Sequence, residues 1–170
     1  MRQTMIGLSA FFLILAVLGV GVRLYMSRAA ENQLRPGEDI TIAALRGPLA
    51  QNAALACPSG YCIADGAVPS PVFPIPVDRL ANYWAAVIAD EPRIVQVASD
   101  PSRHRSVLIQ RSAVFRFPDV ITVEFVALSS ERSSVALYSR ARYGRSDFGV
   151  NRKRVLRWLA RLQELAGRAS

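Results

Sequence analysis

With 170 residues, 51% of them hydrophobic, the chain has room for one compact domain with a core of its own plus a short appended segment. The formal charge of +8 is local, because residues 140 to 170 hold nine Lys or Arg against Asp147 and Glu164, a net of +7. Lys153 is the single lysine among 21 basic residues, so the high isoelectric point reflects an arginine-rich composition and does not by itself mark a nucleic-acid binder.

In chain order, Met5 to Val22 carries no charge and would extend about 27 Å as a helix, close to the thickness of a bilayer's hydrocarbon core. It is expected to be a transmembrane anchor within residues 1–28, with the lipid bilayer as its partner over residues 5–22. A cleavable signal peptide is the alternative, since Arg2 forms a short positive head and small residues follow at Ala29 and Ala30. The apolar run is long for such a peptide, and Arg23 sits where a cleavage region would be small and polar. Arg23, Arg28 and Arg35 lean toward a cytoplasmic C-terminal domain. The cysteines lean the other way. Cys57 and Cys62 are the only two, and Pro58, Ser59 and Gly60 between them let the loop fold back so that the sulfurs can meet in an oxidising compartment. The expected location is therefore the cytoplasmic (inner) membrane, single-pass, with the C-terminal domain in the periplasm. As a metal site the pair fails, because only His104 could join it and tetrahedral zinc wants four ligands. No cofactor or metal is expected.

Residues 29–68 mix Ala, Gly, Pro and scattered charge without periodicity and read as a loosely packed linker carrying the cysteine loop. The domain proper is expected over 69–168. Pro69, Pro71, Pro74 and Pro76 punctuate an extended approach, with Val72, Phe73 and Ile75 as a short edge strand. Asp78 to Asp90 is a helix with Leu80, Tyr83, Trp84, Val87 and Ile88 on one face. Strands follow over 94–98, 106–117, 120–128 and 135–143, with Pro118-Asp119 as a hairpin turn. Arg111 interrupts the apolar face of its strand, which a bulge explains more simply than a pocket reached by the side chain. His104 reads as a surface histidine in a polar loop.

The last strand gives way to an amphipathic helix, Val150 to Ala166, with Val155, Leu159, Leu162 and Ala166 on its apolar stripe and Lys153, Arg154, Arg157, Arg161 and Glu164 on the other side. Ser146 or Asp147 is placed as its N-cap. Asn151 and Arg152 fall at the edges of the stripe. The commoner reading of this corner is structural, with Asn151 tying the helix to the sheet and Arg152 pairing with Asp147. The other is an anion site, in which Arg145, Arg152 and Arg154 surround a helix N-terminus whose dipole favours negative charge.

The segment SRARYGRSDFGVNRKRV, together with CPSGYC, resembles the bacterial and plastid family called domain of unknown function 1499, over about residues 56 to 165. Where that family's cysteine segment is followed by a short polar run, Ile63-Ala64-Asp65 stands here. The resemblance implies a domain of an uncharacterised, envelope-associated family and supplies no catalytic residue.

The order strand, helix, four antiparallel strands, helix predicts an α+β fold, a curved antiparallel sheet with both helices on one face, like the half-unit of a TATA-binding-protein-like fold or a short helix-grip domain. A groove between the sheet and the last helix is expected to suit an apolar ligand. The first functional reading is a membrane-anchored, non-catalytic module that binds an anionic small molecule, lipid or protein partner through Tyr143, Arg145, Asp147, Asn151, Arg152 and Arg154. A hydrolase- or cyclase-like enzyme using Asp147 as acid or base is the alternative, and it requires a second titratable group beside that carboxylate. Nucleic-acid or anionic-lipid binding by a cytoplasm-facing basic helix is the third reading. No nucleic acid is expected as partner, because the basic face lacks interleaved aromatics.

Overall fold

The computed structural model of the protein describes residues 2–26 and 32–168, the side chains of 2–7 and 9 excepted. Helix α1 (Arg2–Met26) comes first. The strands β1 (Arg46–Pro48), β2 (Ala53–Cys57), β3 (Ile63–Asp65) and β4 (Val68–Pro69) then lead to helix α2 (Val77–Ala89). Strands β5 (Ile94–Asp100), β6 (Arg105–Arg111), β7 (Pro118–Ser129) and β8 (Arg132–Ala141) precede helix α3 (Val150–Gly167). The main sheet has six strands in the order β4-β2-β8-β7-β6-β5, while β1 and β3 form a small parallel pair. Neighbours in the main sheet run antiparallel except β2 and β4. The α+β fold with a mostly antiparallel sheet is as the sequence predicts.

Both faces of the sheet are covered, and strand alternation decides which residue serves which layer. Ile121, Val123 and Phe125 of β7 and Val135 and Leu137 of β8 face α2 and α3, where Leu80, Trp84, Val87, Val155, Trp158, Leu159 and Leu162 complete the main core. Trp84 stands edge-on to Trp158 with ring centroids 5.2 Å apart, a favourable geometry for aromatic pairs. That packing fills the space between α3 and the sheet, so the expected apolar groove there is closed. On the other face Leu55, Cys57, Ala136 and Tyr138 gather with Ile42 into a second, smaller core.

The expectation of a loose 29–68 linker fails at β2. Ala54, Leu55, Ala56 and Cys57 are buried, and β2 pairs with β8 from Ala53 opposite Arg140 to Ala56 opposite Leu137. Its run of small residues hides the alternation that marks a strand. Cys57 and Cys62 form a disulfide with Cα atoms 6.1 Å apart, which staples the end of β2 to the loop after it.

The stretch predicted as one strand over 106–117 also divides. Strand β6 ends at Arg111, and residues 112–117 form the turn, closed by the Ser112 N–H donating to the Phe117 carbonyl at 2.9 Å. Pro118 and Asp119 are not the hairpin turn but the start of β7, opposite Arg111 and Gln110. No bulge occurs at Arg111; the register shifts lie at Gln96/Ala98 and Ala127/Ser129. Arg111 instead reaches across the loop, donating to Asn32 Oδ1 at 2.8 Å and to the carbonyls of Met26 and Arg116. Phe73, expected on an edge strand, makes only a single bridge to Ser133.

Among the described residues no helix is long and apolar enough to cross a membrane, so the transmembrane expectation for Met5 to Val22 is unsupported. Helix α1 nevertheless runs for 25 residues, and every side chain from Phe11 to Leu18 is exposed.

The strand-to-helix corner and its arginine groove

Between β8 and α3 the chain turns through Gly144 (φ 86°) and Gly149 (φ 79°), in the left-handed region where a Cβ is strained. Asp147 caps the helix that follows: its Oδ2 accepts from the Asn151 N–H at 2.6 Å and its Oδ1 from the Gly149 N–H at 3.0 Å. Among the described residues these backbone groups are its hydrogen-bond donors, and no second titratable side chain bonds to it. The acid-base reading of Asp147 therefore lacks the partner it requires. The same carboxylate occupies the place an external anion would take at this helix N-terminus.

Asn151 is fully buried. Its amide donates to the Asn52 carbonyl at 3.1 Å, and its Oδ1 accepts from the Ser139 hydroxyl at 2.6 Å. Helix α3 is thus tied to β8 and to the turn ahead of β2, as the structural reading expects. The arginine expected at the surface is the one that is buried. Arg154 donates through Nε to Gln110 at 2.6 Å, through Nη1 to Ser139 at 2.9 Å and to Asn151, and through Nη2 to Asp119 at 2.6 Å. Arg152, expected to pair with Asp147, is exposed. It lines a separate shallow cleft with Leu49 and Gln51.

Gln110 passes the network onward, donating to Glu91 at 3.0 Å and to the Pro92 carbonyl at 3.1 Å. Glu91 also accepts from Trp158 Nε1 at 2.7 Å and from Arg157 at 2.8 Å. Burial alone would push Glu91 up; the bonds from Trp158, Arg157 and Gln110 more than offset it and hold the carboxyl below the usual 4.5. Asp119 goes the other way, because burial outweighs the charge and hydrogen bond of Arg154, and the Asp147 charge adds to the rise. Asp119, Gln110 and Ser139 share strand parity with core residues Ile121, Leu108 and Leu137, a polar interruption legible in the sequence; Glu91, outside the strands, carried no such signal.

At the outer end of this network lies an open groove of about 500 Å³, lined by Arg93, Arg111, Arg154 and Arg157 with Glu91, Ser112, Ala113 and Val150. The corner residues therefore divide. Arg154 reaches the groove wall, Asn151 and Asp147 brace the helix that carries it, and Arg145 and Arg152 stay exposed elsewhere. Tyr143 lies apart, with the Arg35 guanidinium 5.0 Å above its ring and hydrogen-bonded to its hydroxyl.

A second polar knot sits on the opposite face of the sheet. Glu124, buried, accepts from the Ile42 N–H at 2.9 Å and from the Tyr61 hydroxyl at 2.8 Å. Burial and then the hydrogen bond to Glu124 push the Tyr61 phenol up to about 12, so it stays protonated and serves as a tie rather than a base. The small pocket beside it, about 190 Å³, is lined by Asp39, Thr41, Tyr61, Arg103, Arg105 and Glu124.

The comparisons with known proteins agree with the motif. Residues 68–162 match the family model described as "Protein of unknown function (DUF1499)", and the chain belongs to that family. A search of curated proteins found no match. Among solved structures the chain is similar to the di-domain ARO/CYC BexL from the BE-7585A biosynthetic pathway, with 16% identity and a TM-score of 0.43. That alignment covers 56% of this chain and 44% of the other, too slight a likeness to bear on fold or activity.

Proposed function

We propose that the protein is a membrane-anchored, non-catalytic module, facing the periplasm, that binds an anionic ligand in the groove at the strand-to-helix end of the domain. The observation that carries this reading is the groove's lining: four arginines, Arg93, Arg111, Arg154 and Arg157, against the single carboxylate of Glu91. Guanidinium groups present planar, paired donors suited to carboxylate and phosphate oxygens. The rigid members, Arg111 and Arg154, are already held by internal hydrogen bonds. Arg93 and Arg157, both exposed, supply the adaptable contacts. The anchor assignment is supported by the exposed apolar side chains of α1 from Phe11 to Leu18, and the periplasmic side by the Cys57–Cys62 disulfide, a bond that persists in oxidising compartments.

Native mass spectrometry of the detergent-extracted protein tests the reading. An acidic small molecule or lipid is expected to co-purify and to be lost from the Arg93→Glu variant, which leaves the Arg157–Glu91 pair in place, at unchanged melting temperature. A wild-type protein that carries nothing and gains no mass from added inorganic phosphate or phosphatidylglycerol overturns it.

A further inference from the structure

The turn between β6 and β7 has the wrong chemistry for a loop in water. Val114, Phe115 and Phe117 are 62%, 44% and 37% exposed, three large apolar side chains within four consecutive positions. Single exposed apolar residues are ordinary on protein surfaces, whereas a cluster at a loop tip marks a contact. This cluster continues the exposed apolar surface of α1. Phe115 lies against α1 at Gly19, where a Cβ would stand 3.9 Å from its ring.

Two arginines clasp the loop to the helix. Arg23 donates to the Val114 carbonyl at 2.8 Å. Arg111, from the strand below, holds the Met26 carbonyl and the Arg116 carbonyl together. The loop's depth along α1 follows from these contacts. Gly19 precedes Arg23 by four residues, so at 1.5 Å rise per residue the Phe115 ring lies about 6 Å beyond the level of Arg23, toward the apolar middle of the helix. That is the depth at which interfacial aromatic and aliphatic side chains settle, between the headgroups and the acyl chains.

Resting on the anchor reading above, we infer that the β6–β7 turn is a second membrane contact, inserting Val114 and Phe115 into the interfacial layer beside α1. Its partner is the lipid surface itself, with Arg23 and Arg116 at the level of the headgroups. The contact fixes the domain's orientation. The β6–β7 end faces the bilayer, and the β7–β8 turn with Leu128 points away, about 33 Å further along β7 at 3.3 Å per residue. The arginine groove, which shares Arg111, Ser112 and Ala113 with this turn, then opens at headgroup level.

The test uses the full chain reconstituted into phosphatidylcholine–phosphatidylglycerol vesicles with and without brominated acyl chains, which quench tryptophan on contact. The native Trp84 and Trp158 are buried in the core and provide a constant background. For Val114→Trp and Phe115→Trp, the added emission is expected to fall roughly two-fold in brominated lipid, because the side chains reach the headgroup–acyl boundary, while Leu128→Trp stays unchanged. Leu13→Trp reports the anchor separately. Quenching at Leu13→Trp without quenching at either turn variant overturns this inference and leaves the anchor in place. No quenching at any of the three overturns both, and equal quenching at Leu128→Trp overturns the orientation.

Discussion

Arg154 shows how little the hydrophobicity of a side chain settles about its place. Helical spacing puts it on the charged side of α3, yet its guanidinium is buried, because Asp119, Gln110, Ser139 and Asn151 together satisfy every one of its nitrogens. A buried charge is tolerated only with such partners, and removing one member leaves the other uncompensated. Arg154→Met is expected to cost about 3 to 5 kcal/mol, and Asn151→Ala about 1 to 3 kcal/mol through the lost tie to the Asn52 carbonyl and a buried Ser139 hydroxyl left without its acceptor. Urea denaturation measures both. In the Arg154→Met/Asp119→Leu double variant the loss should be well below the sum of the single losses. Strict additivity would mean that the pair does not act as a unit.

At the scale of elements, the start of α3 depends on backbone geometry more than on the cap residue alone. The helix begins at Val150, with Gly149 in the left-handed conformation at its N-cap position. Asp147, two residues earlier, reaches forward to do the capping. A Cβ at Gly149 would meet nothing within 4 Å, so the cost of Gly149→Ala is purely conformational, about 1 to 2 kcal/mol. Gly167, in the same helix and equally uncrowded, has no positive φ. Gly167→Ala should be neutral or stabilise by up to about 1 kcal/mol, as alanine does in a helix. Thermal melts of the two variants separate these effects, and equal destabilisation would contradict the account.

The domain is held as three layers, α2 and α3 on one face of the sheet and the stretches before and after β2, residues 32–49 and 58–67, on the other, and two carboxylates tie those layers together. Glu38 accepts from Arg142 at 2.6 and 2.8 Å. Burial pushes its carboxyl up, but Arg142 and the Arg35 N–H outweigh that and hold it below 4.5. Glu91, also lowered, joins α2, β6 and α3. A carboxyl depressed on folding contributes stability that is complete above its unfolded value and is lost as pH falls through the folded one. Melting temperature should therefore hold level from neutral pH down to about 5 and decline below about 4.5. The Glu38→Gln/Glu91→Gln variant should melt lower at pH 7 and decline less in acid; an unchanged acid slope would assign the effect elsewhere. Asp119, raised by burial, works in the opposite sense and softens the decline.

Much of this was legible from residues alone. The alternation of Ile121, Val123 and Phe125, the apolar stripe of α3 and the glycines of the corner mark strand, helix and turn, because periodicity and positive φ are local properties. The burial of Asn151 follows from its place beside that stripe, and the C-x4-C spacing permits the disulfide. Tertiary structure alone decided that β2, with its featureless alanines, is an inner strand of the sheet. It also decided that Arg154 rather than Arg152 turns inward, that Glu91 and Gln110 carry the network to an arginine groove, and that the β6–β7 turn lies against α1. Each of these depends on partners distant in sequence. A guanidinium or carboxylate goes where the remaining charges and donors meet it, and no spacing along the chain records that.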